Sequence, residues 1–386
     1  MMRVGFIADV HVGNHRGCGG KYEAGMNDRC RRVIAVLEQV MEDAKLLGCD
    51  CIVIAGDLFD TTRPSPQIVA ATGHALSRRP CIPVHLLMGN HDRNSDHSDD
   101  HALGPLALAP NVTIWNEPSV LLGDGGAVVM APFQSGPASE WLPGVLSKLP
   151  PIPKGHPDVA LALHLGLHDA PVRKEAFWGA SSDDAISVEQ LHDLMVEHDI
   201  DYAMAGNWHG FKMWELFDTD SEHNRFQCQI GALVPTGWDN TGSSEFYGSL
   251  LVVDLGGHGD SKMPKPRRLA IPGPRFYNVK SENELLQLFA ETPQDSRAHL
   301  FVRWLARPLD VSDAIHTLLR EQSKGNIANF DVRVDGKSIQ EHVAQAVGAA
   351  QSELTLVQAL QRFVSEMDLP EGVSRDRVFN LAKEML

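Results

Sequence analysis

The chain has 386 residues, 43% of them hydrophobic and 22% charged, and carries a formal net charge of -16 at pH 7. That profile excludes a disordered or fibrous protein, and the length allows a full catalytic domain plus a smaller second one. The acidic balance argues against a free-standing nucleic-acid binder, because such proteins draw affinity from cations set against phosphates. Bound divalent metals, or a partner that holds the nucleic acid, would remove that objection.

The six cysteines (Cys18, Cys30, Cys49, Cys51, Cys81 and Cys228) form no C-x-x-C pair, so reduced and mostly buried thiols are expected rather than a disulfide scaffold. The longest apolar runs, such as Val159 to Leu163, are strand-length, and no membrane span is expected. A cleavable leader would remove Asp9 and His11, so a cytoplasmic protein is expected.

In chain order, Met2 to Ala8 is the first predicted strand. Val33, Leu37, Val40, Ala44 and Leu47 then recur at helical spacing between Asn27, a candidate N-cap, and Gly48. Cys51 to Ala55, Pro83 to Met88, Ala127 to Ala131, Val159 to Leu163, Tyr202 to Ala205 and Leu250 to Val253 read as buried strands. Strands alternating with amphipathic stretches imply a layered α/β domain over residues 1–258. Gly, Pro and basic residues (Lys262, Lys265, Arg267, Arg268) mark residues 259–274 as a linker. Residues 275–386 read as a second, α+β domain in which a Leu300 to Leu305 strand, a Ser312 to Glu321 helix and an Ile327 to Val334 strand form a βαβ unit. Its tail, with Leu354, Val357, Leu360 and Phe363 at helical spacing and then Val378 to Met385, reads as two amphipathic helices.

Asp9, Asp57, Asn90, His164 and Asn207 sit at the carboxyl ends of the apolar runs, where layered α/β folds bind ligands. Hydrolysis of a phosphodiester needs an activated water, neutralisation of charge on the phosphoryl oxygens and a proton for the leaving oxygen. Two metals roughly 3.5 to 4 Å apart supply the first two, and mixed Asp, His and Asn ligands suit manganese, iron or zinc better than calcium.

Four motifs occur in order: Asp9-Val10-His11, Gly56-Asp57-Leu58-Phe59-Asp60, Gly89-Asn90-His91-Asp92 and Gly206-Asn207-Trp208-His209. The set resembles the calcineurin-like metallophosphoesterases. Asp9 to Gly13, Asn27-Asp28-Arg29 and the Ala55 to Asp60 stretch followed by Arg63-Pro64 resemble, within them, the SbcD-type DNA nuclease subunits. The resemblance is strong over about the first 210 residues and thin afterwards. It implies a four-layer α/β/β/α sandwich with a smaller α+β C-terminal capping domain. It also implies two divalent metals, most readily Mn2+, with Fe2+, Zn2+ or Mg2+ as alternatives.

Carried over residue by residue, Asp9, His11 and His209 would hold the first metal, Asn90 and His164 the second, and Asp57 would bridge them. His91 would be the general acid, with Asp60 pairing with it to orient its ring. Where the family has Gly-His-x-His, this chain has Asn207 in place of the first His, so Asn207 is either a weaker ligand of the second metal or a lost one. The implied function is a manganese-dependent DNA exo- or endonuclease acting with an SbcC-type, SMC-like ATPase subunit, as a homodimer. Two alternatives stand: a phosphomonoesterase or cyclic-nucleotide phosphodiesterase with the same metals, and a weakly active scaffold of a DNA repair or replication complex.

Other residues invite plainer readings. His164 ending a buried run is also what a satisfied core histidine looks like, and His168 and Asp169 suit a solvated loop. The His97 to His101 tract reads as an exposed loop, and Arg303, Arg307 and Arg320 as solvated cations or DNA-backbone contacts. No P-loop signature occurs, so an ATPase would have to be another chain, and no G-x-S-x-G elbow points to a serine hydrolase.

Overall fold

The structure, a computed structural model, describes residues 1–15, 20–77, 82–95, 97, 99–149, 158–169, 184–218, 223–237, 249–257, 263–268, 275–297, 299–307, 310–334, 337–338, 361, 364–365 and 374–384. They fall into two compact units, Met1–Pro274 and Arg275–Leu386.

Two six-stranded sheets build the first unit. One runs Lys265–Arg268, Ser249–Leu255, Met2–Ile7, Cys51–Ala55, Val84–Leu87, Val112–Trp115. Its last four strands are parallel and its first two antiparallel. The other runs Lys212–Asp218, His223–Gln229, Tyr202–Gly206, Val159–His164, Gly126–Ala131, Ser119–Gly123, with four parallel strands between antiparallel edges.

Alternation along each strand assembles the layers. Val4, Phe6, Cys51 and Val53 of the first sheet meet Val128, Met130, Ala162 and Met204 of the second in one buried core. The opposite faces carry Ile7, Ile52, Ile54 and Leu86, which pack against helices α1 (Asp28–Leu46) and α2 (Pro66–Ser77). On the second sheet they carry Val129, Leu161, Leu163 and Ala203, which pack against helices Ala138–Leu146 and Val188–Glu197. Four layers, α/β/β/α, result. Helix α1 starts where Asn27 accepts a hydrogen bond from the Cys30 N–H at 2.9 Å, and its chain reverses at Gly48, whose φ of 71° favours glycine.

The basic stretch read as linker contains a strand. Lys265–Arg268 pairs antiparallel with Ser249–Leu255, placing Pro266 opposite Leu251. Edge strands are held by main-chain bonds on one side, so they need no apolar alternation and tolerate a proline and several cations.

The second unit holds a parallel trio, Arg275–Val279, Leu300–Ala306 and Asn329–Val334, with Lys337–Ser338 antiparallel at one edge. Helices Glu282–Glu291 and Val311–Ser323 bury Leu285, Phe289, Ala314 and Leu318 against it. The first of these βαβ units has no counterpart in the sequence reading. Arg303 is bound by Asp331 at 2.8 Å, Arg307 by Asp310 at 2.7 Å and Arg320 by Glu282 at 2.9 Å. All three charges are therefore compensated within the unit. The stripe of Leu354, Val357, Leu360 and Phe363 lies outside the described residues, while Arg375–Glu384 is a helix. Among the described residues no helix is long and apolar enough to cross a membrane.

Candidate metal centre

Strand ends from both sheets converge on one site. Asp9 and His11 follow Met2–Ile7, Asp57 follows Cys51–Ala55, and Asn90 and His91 follow Val84–Leu87. From the other sheet, His164 ends Val159–His164, and Asn207 and His209 follow Tyr202–Gly206. To turn these side chains inward the backbone takes left-handed conformations at Asp9 (φ 49°), His11 (φ 48°), Asp57 (φ 52°) and Asn207 (φ 84°). Such residues cost about 1–3 kcal/mol each and persist where their surroundings over-determine them. Here, the N–H groups of Asp9 and His11 donate to the carbonyls of Gly56 and Asp57 at 3.2 and 3.0 Å.

Glycines make the space. A Cβ on Gly206 would lie 2.1 Å from the Ala55 carbonyl oxygen and 2.8 Å from His164 Nδ1. One on Gly89 would lie 2.2 Å from Asp57 Oδ1. Both motif glycines are therefore steric requirements of the neighbouring donors.

The donors face one another. His11 Nε2 is 3.2 Å from His209 Nε2, 3.6 Å from Asp57 Oδ2 and 4.0 Å from Asp9 Oδ1. His164 Nε2 is 3.3 Å from Asp57 Oδ2 and 2.9 Å from Asn90 Oδ1. Asp9, His11 and His209 form one group whose ligand atoms lie within 4.8 Å of one another; Asp9, Asp57 and His164 form a second, and His11, Asp57 and His91 a third. Asp9, His11, Asp57 and His164 are buried, whereas His91 is exposed at the rim.

These contacts fit cations. His164 Nδ1 is 2.8 Å from the Ala55 carbonyl, so it carries the hydrogen, and Nε2 points a lone pair at two oxygen acceptors. Electron-rich atoms so close need a second proton or a metal between them. In the protein alone, burial favours the neutral ring, but the Asp57 carboxylate outweighs it and lifts His164 to about 9. Burial holds His11 well below its usual range, leaving a neutral ring with a lone pair to give. Burial raises Asp9, and it would raise Asp57 as well, but His164 beside Asp57 pulls that carboxyl down.

Two contacts differ from the resemblance-based reading. His91 Nδ1 is 2.9 Å from the main-chain carbonyl of Asp60, so the pairing runs through backbone and not through the carboxylate. The Asp60 carboxylate faces His11 and His15 instead. Asn207 donates its main-chain N–H to both Asp9 oxygens at 3.0 and 3.1 Å, and its side-chain nitrogen lies 3.4 Å from the Asp184 carbonyl. Asp169 is bound by Lys212 at 2.5 Å and by the Trp214 indole at 3.1 Å, on an exposed surface.

The residues that support these donors had no role assigned from the sequence, although Asp92 and Arg29 lie within its motifs. The Thr236 hydroxyl lies 2.8 Å from His209 Nδ1 and fixes that ring, as outer partners of metal-binding histidines do. Buried Asp92 accepts N–H bonds from Leu58, Phe59 and Gly89, tying the Asp57 and Asn90 loops together. Fully buried Arg29 donates to the Pro235 carbonyl, one residue from Thr236.

Comparison with known proteins found local sequence relatives, a structural neighbour and a family match. Two curated relatives are archaeal DNA double-strand break repair proteins named Mre11. That of Archaeoglobus fulgidus is 36% identical over 110 residues, 28% of this chain and 23% of that protein. That of Methanopyrus kandleri is 33% identical over 95 residues, 24% of this chain and 19% of that one. The matched regions thus span less than a quarter of either relative. Among solved structures, the purple acid phosphatase of yellow lupin (Lupinus luteus) seeds aligns with a TM-score of 0.40 and 13% identity, covering 65% of this chain and 49% of that one. The model of the calcineurin-like phosphoesterases matches residues 2–211, from the first strand to just beyond His209, and the chain belongs to that family.

Proposed function

We propose that the protein is a two-metal DNA phosphodiesterase, an exo- or endonuclease working in the cytoplasm with a separate SMC-like ATPase subunit and as a homodimer. The observation that carries the reading is the gathering of Asp9, His11, Asp57, His164 and His209 at the junction of the two sheets, with exposed His91 beside them. Local likeness to Mre11 proteins supports DNA as the substrate.

Asp9, His11 and His209 would hold one metal, Asn90 and His164 the other, with Asp57 shared; manganese is the expected ion. When bound, such a pair supplies Lewis acidity towards the phosphodiester and its attacking water. His91 sits at the open rim, where its Nε2 can give a proton to the leaving oxygen while Nδ1 is held by the Asp60 carbonyl. Asp57 anchors the same loop by accepting the His91 main-chain N–H at 2.9 Å. Asn207, with its amide nitrogen on the Asp184 carbonyl, leaves the second metal with fewer protein donors than the first.

The test is purified protein assayed with manganese or chelator on DNA, on a small phosphomonoester and on a cyclic nucleotide. DNA should be cleaved only with metal. Hydrolysis of either small substrate far faster than any DNA would overturn the reading.

A further inference from the structure

The loop after Asp9-Val10-His11 carries a second histidine that belongs to none of the four motifs. His15 is four residues beyond His11, and its Nε2 lies 3.1 Å from Asp60 Oδ1, with both side chains largely buried. The same carboxylate oxygen is 3.7 Å from His11 Nδ1, a buried ring nitrogen with no hydrogen-bond partner of its own. Histidines that hold metals through one ring nitrogen usually need the other fixed by a carboxylate or carbonyl, which sets both ring orientation and donor strength.

Neighbouring contacts hold His15 in place. The Asn27 side-chain nitrogen donates to the His15 carbonyl at 3.3 Å, and the Asn27 main-chain N–H donates to Asn14 Oδ1 at 2.8 Å. Asn27 also caps helix α1, so the loop is fastened to that helix's first turn. Gly13 lets Asp60 come close, since a Cβ there would lie 2.5 Å from Asp60 Cβ. Asp60 in turn presents its main-chain carbonyl to His91.

We infer that His15 is a positioning residue. It pins the Asp60 side chain against His11, and through the Asp60 backbone it steadies His91, so that metal affinity and proton donation depend on one contact outside the motifs. The inference rests on the metal-binding reading above.

The test uses the full chain as wild type, His15→Ala and His15→Gln, freed of metal and titrated with manganese while free Mn2+ is followed by electron paramagnetic resonance. Thermal unfolding in chelator is measured in parallel. The alanine variant should bind its first manganese 10-fold or more weakly, within the about 10- to 100-fold range for outer partners of metal ligands. Its unfolding temperature in chelator should stay near wild type. The glutamine variant should recover most of the affinity, because its amide N–H reaches the same oxygen. Wild-type affinity in the alanine variant overturns the inference alone, as does loss of affinity in both variants with a lowered unfolding temperature, which marks a purely structural role. A wild-type protein that takes up no manganese overturns the metal-binding reading together with it.

Discussion

Replacing His91 with alanine removes the ring but keeps the main-chain N–H that Asp57 accepts, so the loop geometry should survive. Turnover should fall by about 10²- to 10⁴-fold, the usual contribution of a general acid, with metal content unchanged. Elemental analysis beside a cleavage assay checks this, and loss of a metal equivalent would make His91 a ligand. Asn207→His asks the reverse question. An imidazole is a better donor to manganese than an amide oxygen, so activity should saturate at lower manganese and bound metal should rise. An unchanged midpoint and stoichiometry would place residue 207 off the metal. The motif residues were legible because ionisable side chains at the ends of apolar runs are conspicuous. Thr236 and His15 were not, since a hydroxyl or a ring that acts on a neighbouring side chain has no spacing rule. The Asp60 to His91 contact was hidden more deeply, because a main-chain carbonyl is common to every residue.

Among the elements, legibility followed apolar content: His223–Gln229, with Arg225, Gln227 and Gln229 buried, was missed as a strand. Cys51–Ala55 and Val159–His164 are covered on both faces and read as unbroken apolar runs. Lys212–Asp218 and Lys265–Arg268 lie at sheet edges, carry lysine, arginine and acidic residues, and went unnoticed as strands. Helix Val311–Ser323 offers a test of local electrostatics. Near its end Glu321 accepts hydrogen bonds from Asn326, Lys324 and Arg320. Burial opposes its ionisation, yet these partners prevail and lower it to about 2. Because the folded value lies below the unfolded one, the stabilisation is present above about pH 4.5 and is lost as the pH falls towards 2. Glu321→Gln should therefore lower the unfolding temperature of residues 275–386 at pH 7 and shrink the gap from wild type in acid. A constant gap across that range would exclude the linkage.

On the scale of the molecule, the net charge of -16 would repel DNA, and under the proposed function a metal pair at the site would reverse that field where the phosphate would come. The donors have a mechanical meaning as well. Asp9, His11, Asp57 and Asn90 come from one sheet, His164 and His209 from the other, and away from the site the facing sheets share a largely apolar core. An ion held by both sets is a reversible staple across the sandwich, and ligands that bind only the folded state stabilise it by mass action. Free manganese at one hundred times its dissociation constant would add about 2.7 kcal/mol. Titration should therefore raise the unfolding temperature of residues 1–274 steadily with the logarithm of manganese concentration. Amide exchange in chelator should quicken together around Gly56, Gly89 and Gly206, on both sides of the seam, and stay unchanged in Leu300–Ala306. Drawing the ion out would then open the enzyme along the line where its two halves meet, making metal supply a control on the protein's lifetime as well as on its chemistry.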